Sequence, residues 1–132
     1  MTTREKTKRI IVGGVAVGGG APVSVQSMCC TKTQDVEATL RQISSLAAAG
    51  CEIVRLAVPD MDAARAISAI KERSPLPIVA DIHFDYKLAV EAARRGADKI
   101  RINPGNIGGP EKVAAVAREC SLHNIPIRIG VN

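Results

Sequence analysis

The chain has 132 residues, enough for one ordinary core, and carries a formal charge of +5. Aliphatic and small side chains dominate, with Phe84 and Tyr86 the only aromatics, which argues against a base-stacking nucleic-acid binder. No run approaches the ~20 apolar residues of a membrane helix, and Arg4, Lys6, Lys8 and Arg9 against Glu5 concentrate much of the charge in residues 1–9, which read as a solvated basic tail.

After the tail, Ile10–Val12 and Val15–Val17 flank Gly13-Gly14, a two-residue hairpin signal. A basic arm followed by IIVGGVAVGGGA loosely imitates a signal peptide, but five glycines make a poor apolar helix, so a hairpin and a cytoplasmic chain are expected. Residues 10–22 are thus a hairpin and linker. The Gly-rich stretch has no G-x-G-x-x-G spacing and no Lys-Ser/Thr after it, so it is read as a turn and not as a phosphate loop.

From residue 23 one unit repeats: apolar strand, polar turn, amphipathic helix, then Gly or Pro. Strands are expected near 23–28, 53–58, 78–82, 99–103 and 126–132. Helices are expected near 35–50, 60–73, 85–96 and 110–124, with Asp35, Asp60 and Asp85 as caps and Pro110 in a first turn. Strand–helix alternation at this period means parallel βα units. A doubly wound sheet would usually carry a nucleotide loop after its first strand, and QSMCCTKT is not one. A (β/α)8 barrel typically takes about 250 residues. The expectation is therefore a partial (β/α)8 TIM barrel over 23–132, with about four βα units, a fifth strand and an N-terminal hairpin.

Three strands each hold one Arg between aliphatic neighbours: Arg55 in IVRLAV, Arg101 in KIRINPGN and Arg128 in IRIGVN. Arginine cannot shed its charge, so each needs an anionic partner. If the aliphatic residues face the helices, alternation turns Arg55, Asp81, His83, Arg101, Asn103, Arg128 and Asn132 into the barrel, near the strand C-termini where barrel active sites lie. Gln26 and Ser27 lie on opposite faces and leave the first strand open. Asp81 is the only acid of the set, so three guanidiniums are left with excess positive charge, and a phosphorylated ligand would answer it. Asp81 and His83 are the candidates for acid–base work, and 105–110 for backbone donors to a phosphate. His123 reads as a helix C-terminal residue. Cys29, Cys30, Cys51 and Cys120 show no C-x-x-C spacing and read as reduced, mostly buried thiols, with no metal site among them.

The segments PVSVQSM, AAAGCEIVRLAVPD, PIVADIHFDYKLA, KIRINPGNIG and IPIRIGVN, in this order, resemble the N-terminal half of the barrel of the (E)-4-hydroxy-3-methylbut-2-enyl diphosphate synthases, enzymes of non-mevalonate isoprenoid biosynthesis. The resemblance runs from about residue 9 to 132. It implies a homodimeric oxidoreductase that reductively opens and dehydrates 2-C-methyl-D-erythritol 2,4-cyclodiphosphate, with electrons from ferredoxin or flavodoxin through a [4Fe–4S] cluster. It also implies that Arg55, Arg101 and Arg128 hold the diphosphate, and that Asp81, His83, Asn103 and Asn132 belong to the polar barrel mouth. The family's cluster ligands lie in a C-terminal iron–sulfur domain that has no counterpart among these residues, so the chain alone is expected to bind diphosphate without turnover. The alternatives are a non-catalytic half-barrel that assembles with another chain, and another phosphate-binding barrel enzyme using Asp81 and His83.

Overall fold

The computed structural model describes residues 10–17 and 25–129. The expected basic tail at 1–9, the linker at 18–22 and the candidate Asn132 lie outside the described residues.

The hairpin forms as its glycines require. β1 (Ile10–Val12) and β2 (Val15–Val17) pair antiparallel, with Val12 opposite Val15. Gly13 and Gly14 turn the chain at φ +54° and +96°, the left-handed pair that a tight two-residue hairpin needs and L side chains resist. A Cβ on Gly13 would stand 2.7 Å from Pro77 Cβ and 2.8 Å from Asp98 Cγ, so the turn is wedged against the start of the main sheet.

That sheet consists of β3 (Gln26–Met28), β4 (Ile53–Ala57), β5 (Ile78–Ile82), β6 (Lys99–Ile102) and β7 (Ile127–Ile129). All neighbours are parallel and the strand order is sequential, β3-β4-β5-β6-β7. A doubly wound sheet reverses its order at a switch point. This one never does, which makes the fold a partial (β/α)8 barrel preceded by a hairpin.

The crossovers are helical for local reasons. α1 (Val36–Ala48), α2 (Met61–Arg73) and α3 (Tyr86–Arg94) start at Asp35, Asp60 and Asp85, whose carboxylates accept from the backbone N–H of Ala38, Ala63 and Lys87. Lys71 and Arg73 place positive charge on the carbonyl end of α2, and Ser74-Pro75 ends it. One element was not expected. Residues assigned to a loop after the fourth strand form a single helical turn, α4 (Pro104–Ile107), before α5 (Pro110–Leu122). Pro104 supplies a φ already suited to a first helical turn, and Asn103 caps it.

The strand alternation sorts two apolar clusters onto opposite faces. Val54, Leu56, Ile78, Ala80, Ile82, Ile100 and Ile102 pack against Ile43, Ile67, Ile70, Ala89, Ala92 and Val116 of the helices. On the other face, Ile53 and Val79 pack with Val12, flanked by Ile10, Val15 and Val17. The hairpin thus covers the N-terminal end of the inner face and leaves its C-terminal end for polar side chains. Asp98 braces the same end: its Oδ2 accepts from Lys71 Nζ at 2.7 Å and from Ile78 N at 2.8 Å.

Two substitutions test this division. Ile67→Ala, at a fully buried helix position, should cost ~2–5 kcal/mol of unfolding free energy in urea titrations. Gly13→Ala should also lower the urea midpoint, because the new methyl group meets Pro77 and requires a backbone angle that alanine resists. An unchanged midpoint for Gly13→Ala would show that the hairpin does not pack on the sheet.

Candidate functional site

The register of the parallel strands builds the site. One row across the sheet reads Ala57, Asp81, Arg101, Arg128, and the row beneath it reads Met28, Arg55, Val79, Lys99. Adjacent residues in a row share a face. The inner face therefore gathers Arg55, Asp81, Arg101 and Arg128, as the alternation argument requires, and His83 and Asn103 follow on the same parity of their strands.

Asp81 lies at the centre, 1% exposed. Its Oδ1 accepts a hydrogen bond from Arg101 Nη1 at 3.0 Å. Its Oδ2 lies 3.3 Å from Arg55 Nε and 3.7 Å from His83 Nε2. Arg55 Nε is buried and, though within ion-pair distance, is not aligned to donate a hydrogen bond. Among the described residues Arg55 Nη2 reaches only Met28 Sδ, at 3.5 Å, a weak acceptor. One carboxylate thus pins two guanidiniums and leaves donors of Arg55 without a strong acceptor. His83 is half exposed, its ring tilted against the exposed Phe84.

Arg128 stands directly opposite Arg101 on the neighbouring strand and is exposed. Like charges in that position repel. No ion pair reaches Arg128 or Lys99 among the described residues. Lys99 is half-buried, and burial first, then the Arg128 guanidinium, pulls its ammonium below the usual lysine range. Among the described residues the inner face so holds Arg55, Lys99, Arg101 and Arg128 against the single carboxylate of Asp81.

Asn103 is already partly committed. Its Oδ1 accepts from Gly105 N at 3.0 Å as the cap of α4, which leaves its amide nitrogen to face a ligand. The N–H of Asn106 donates to Asn103 O, so the first two backbone donors expected from 105–110 are consumed by the helical turn. His123 ends α5 and contacts Glu119 across one turn, Nε2 to Oε1 at 3.2 Å.

Sequence reasoning overlooked two inner-face residues and left one open. Lys99 is two residues before Arg101, so the same alternation places it inside. Gln26 and Met28 share the inner face because Met28 pairs with Arg55 and Gln26 with Ile53, while Ser27 pairs with Val54 on the helix side. The strand expected at 23–28 gave no face assignment, because its adjacent polar residues Gln26 and Ser27 lie on opposite faces.

The cysteines do not fit an iron–sulfur cluster. Cys29, Cys51 and Cys120 are buried, Cys30 is exposed, and all four are free. Burial pushes the thiols of Cys29 and Cys120 up to about 11, which favours the neutral form over a metal-binding thiolate. Among the described residues, no group of three or more His, Cys, Asp or Glu is placed to hold a metal ion. No helix among them is long and apolar enough to cross a membrane.

Residues 7–132 match the family model of the GcpE TIM-barrel domain. The chain is 60% identical over 126 residues to a 4-hydroxy-3-methylbut-2-en-1-yl diphosphate synthase (flavodoxin) of Caldicellulosiruptor saccharolyticus, covering 96% of this chain and 36% of that relative. Identity to the protein of the same description from Brevibacillus brevis is 61% over 132 residues, covering 100% of this chain and 37% of the relative. For Geobacter sulfurreducens it is 60% over 129 residues, covering 98% and 36%. The chain therefore spans little more than a third of the length of the curated relatives it matches.

Two measurements check the site's electrostatics and its thiols. Asp81→Asn leaves two guanidiniums without their carboxylate and should destabilise the chain by ~3–5 kcal/mol, read from urea unfolding. A thiol reagent at mildly alkaline pH should modify Cys30 quickly and the three buried thiols only on unfolding, and Cys30→Ser should remove the fast phase.

Proposed function

The chain belongs to the GcpE TIM-barrel family, and from that membership we propose that its inner face is the diphosphate-binding half of a 4-hydroxy-3-methylbut-2-enyl diphosphate synthase barrel. The observation that carries this reading is the charge imbalance: Arg55, Arg101 and Arg128 share one face with a single carboxylate. A diphosphate offers the oxygens that these guanidiniums lack. The proposed substrate is 2-C-methyl-D-erythritol 2,4-cyclodiphosphate, opened reductively with loss of water. Flavodoxin is the proposed electron donor, after the description of the relatives, with ferredoxin as the alternative.

In this scheme Asp81 holds Arg55 and Arg101 in fixed positions before the ligand arrives, which spares the cost of ordering two long side chains. Arg128, the Asn103 amide nitrogen and Asn132 complete the grip. His83 is half exposed beside Asp81, and it is the group suited to deliver a proton to a departing oxygen. The electron chemistry has no ligand set among the described residues, so the proposed role of this chain is to bind and orient, as part of a homodimeric enzyme. Residues 1–9 would be a basic tail and 18–22 a linker, and the proposed location is the cytoplasm.

A second reading, a half-barrel that assembles with another chain without catalysis, draws on one observation. Among the described residues β3 and β7 each have one strand neighbour, and Ile129 on β7 is 53% exposed. Size-exclusion mass with and without ligand separates the readings: a dimer indifferent to diphosphate favours assembly alone.

Calorimetric titration with the cyclodiphosphate tests the first reading directly. Arg101→Ala should weaken binding by ~1.5–3 kcal/mol, the worth of a hydrogen bond to a charged group. Equal affinity of the variant and the parent would overturn the assignment.

A further inference from the structure

Among the described residues, two side chains approach the Arg55 guanidinium, Asp81 and Met28. Asp81 Oδ2 stands 3.3 Å from Nε without alignment, so the buried Nε–H donates to nothing there. Met28 is the register partner of Arg55 on β3, and its Sδ takes a hydrogen bond from Nη2 at 3.5 Å. A thioether is a weak acceptor for a cation that cannot shed its charge. Met28 is also 39% exposed, so its sulfur is open to small solutes. Met61, by contrast, is partly buried and packs against the core.

An exposed thioether beside a guanidinium short of acceptors favours one chemistry, oxygen transfer to sulfur. Oxidation converts an apolar methionine into a polar sulfoxide, which in a core disrupts packing. At Met28 the new oxygen would meet donors instead of methyl groups. We propose that Met28 is a site of reversible sulfoxidation by peroxide, with the sulfoxide oxygen held by the Arg55 guanidinium. The sulfur lone pair attacks one peroxide oxygen, the S–O bond forms and the O–O bond breaks. The departing hydroxide takes the proton of the transferred oxygen and leaves as water, so the sulfur is oxidised and the peroxide reduced. Negative charge grows on the departing oxygen beside Arg55, where a cation stabilises it. Reduction by a dithiol-dependent methionine sulfoxide reductase returns the thioether and water and leaves a disulfide on the reductase. The flexible methionine side chain lets the oxygen turn toward Nη2 and Nε. Only Met28 and Arg55 are needed, so the modification is independent of the ligand proposed for this face.

The test treats the whole chain with dilute hydrogen peroxide and locates each added oxygen by peptide mapping. Met28→Leu goes through the same treatment and carries any thiol oxidation, which isolates the methionine. Met28 should gain one oxygen several-fold faster than Met61, and a methionine sulfoxide reductase with a dithiol should remove it. Exchange of the Arg55 Nε–H with solvent, followed by nitrogen-detected NMR, should slow several-fold in the oxidised parent and stay unchanged in treated Met28→Leu. The urea midpoint of the oxidised parent should hold level or rise relative to the untreated parent, once the change seen in Met28→Leu is subtracted. Met61 reacting ahead of Met28 would overturn the site. Oxidation at Met28 that lowers the midpoint and leaves the Arg55 exchange rate unchanged would overturn the capture by Arg55, and with it the proposal.

Discussion

A carboxylate that is almost wholly buried among guanidiniums constrains everything around it. Buried Asp81 is compensated by Arg101, which donates to one oxygen, while Arg55 and His83 approach the other. In turn, Arg55 and Arg101 can be kept on the face of a sheet only because Asp81 stands between their strands. Two cations and one anion do not cancel. With Arg128 and Lys99 on the same face, the surplus grows, and in a site partly withdrawn from water that surplus is a standing attraction for a multiply charged anion.

The fold makes such a cluster tolerable by separating it from the hydrophobic work. The outer face of the sheet and the helices bury the large aliphatic residues and carry the packing energy. The hairpin takes the N-terminal end of the inner face, where Ile53 and Val79 meet Val12. The C-terminal end of the inner face is then free of any packing duty, and charged residues can collect there without disrupting a core. The proposed binding face lies where stability does not depend on apolar contact, apart from the Asp81 pairing itself.

Most of this architecture was legible in the chain. The Gly13-Gly14 hairpin, the Asp35, Asp60 and Asp85 caps and the five strands sit where the pattern places them, because each rests on a local rule of turn chemistry, capping or alternation. Alternation also carries Arg55, Asp81, Arg101 and Arg128 to one face, since the period of two holds whatever the neighbours are. It was less complete where the chain gives little to count. At β3 the adjacent polar residues Gln26 and Ser27 face opposite ways, so the inward side of Gln26 and Met28 came only from pairing with β4. The turn at α4 was hidden because Pro-Gly usually marks a loop, and Asn103 had to serve as its cap before a helix could form there.

The sequence by itself determined which residues share a face, because alternation is a property of one strand. It also determined where α1, α2 and α3 begin, because their Asp caps act within a few residues. Only the tertiary structure decided who partners whom. That Asp81 serves Arg101 and Arg55 together, that Lys99 lies diagonal to Arg128, and that the hairpin fills the lower end of the inner face all depend on the register between strands 20 or more residues apart. Register is set by the packing of every strand and helix at once, and no local stretch of the chain encodes it.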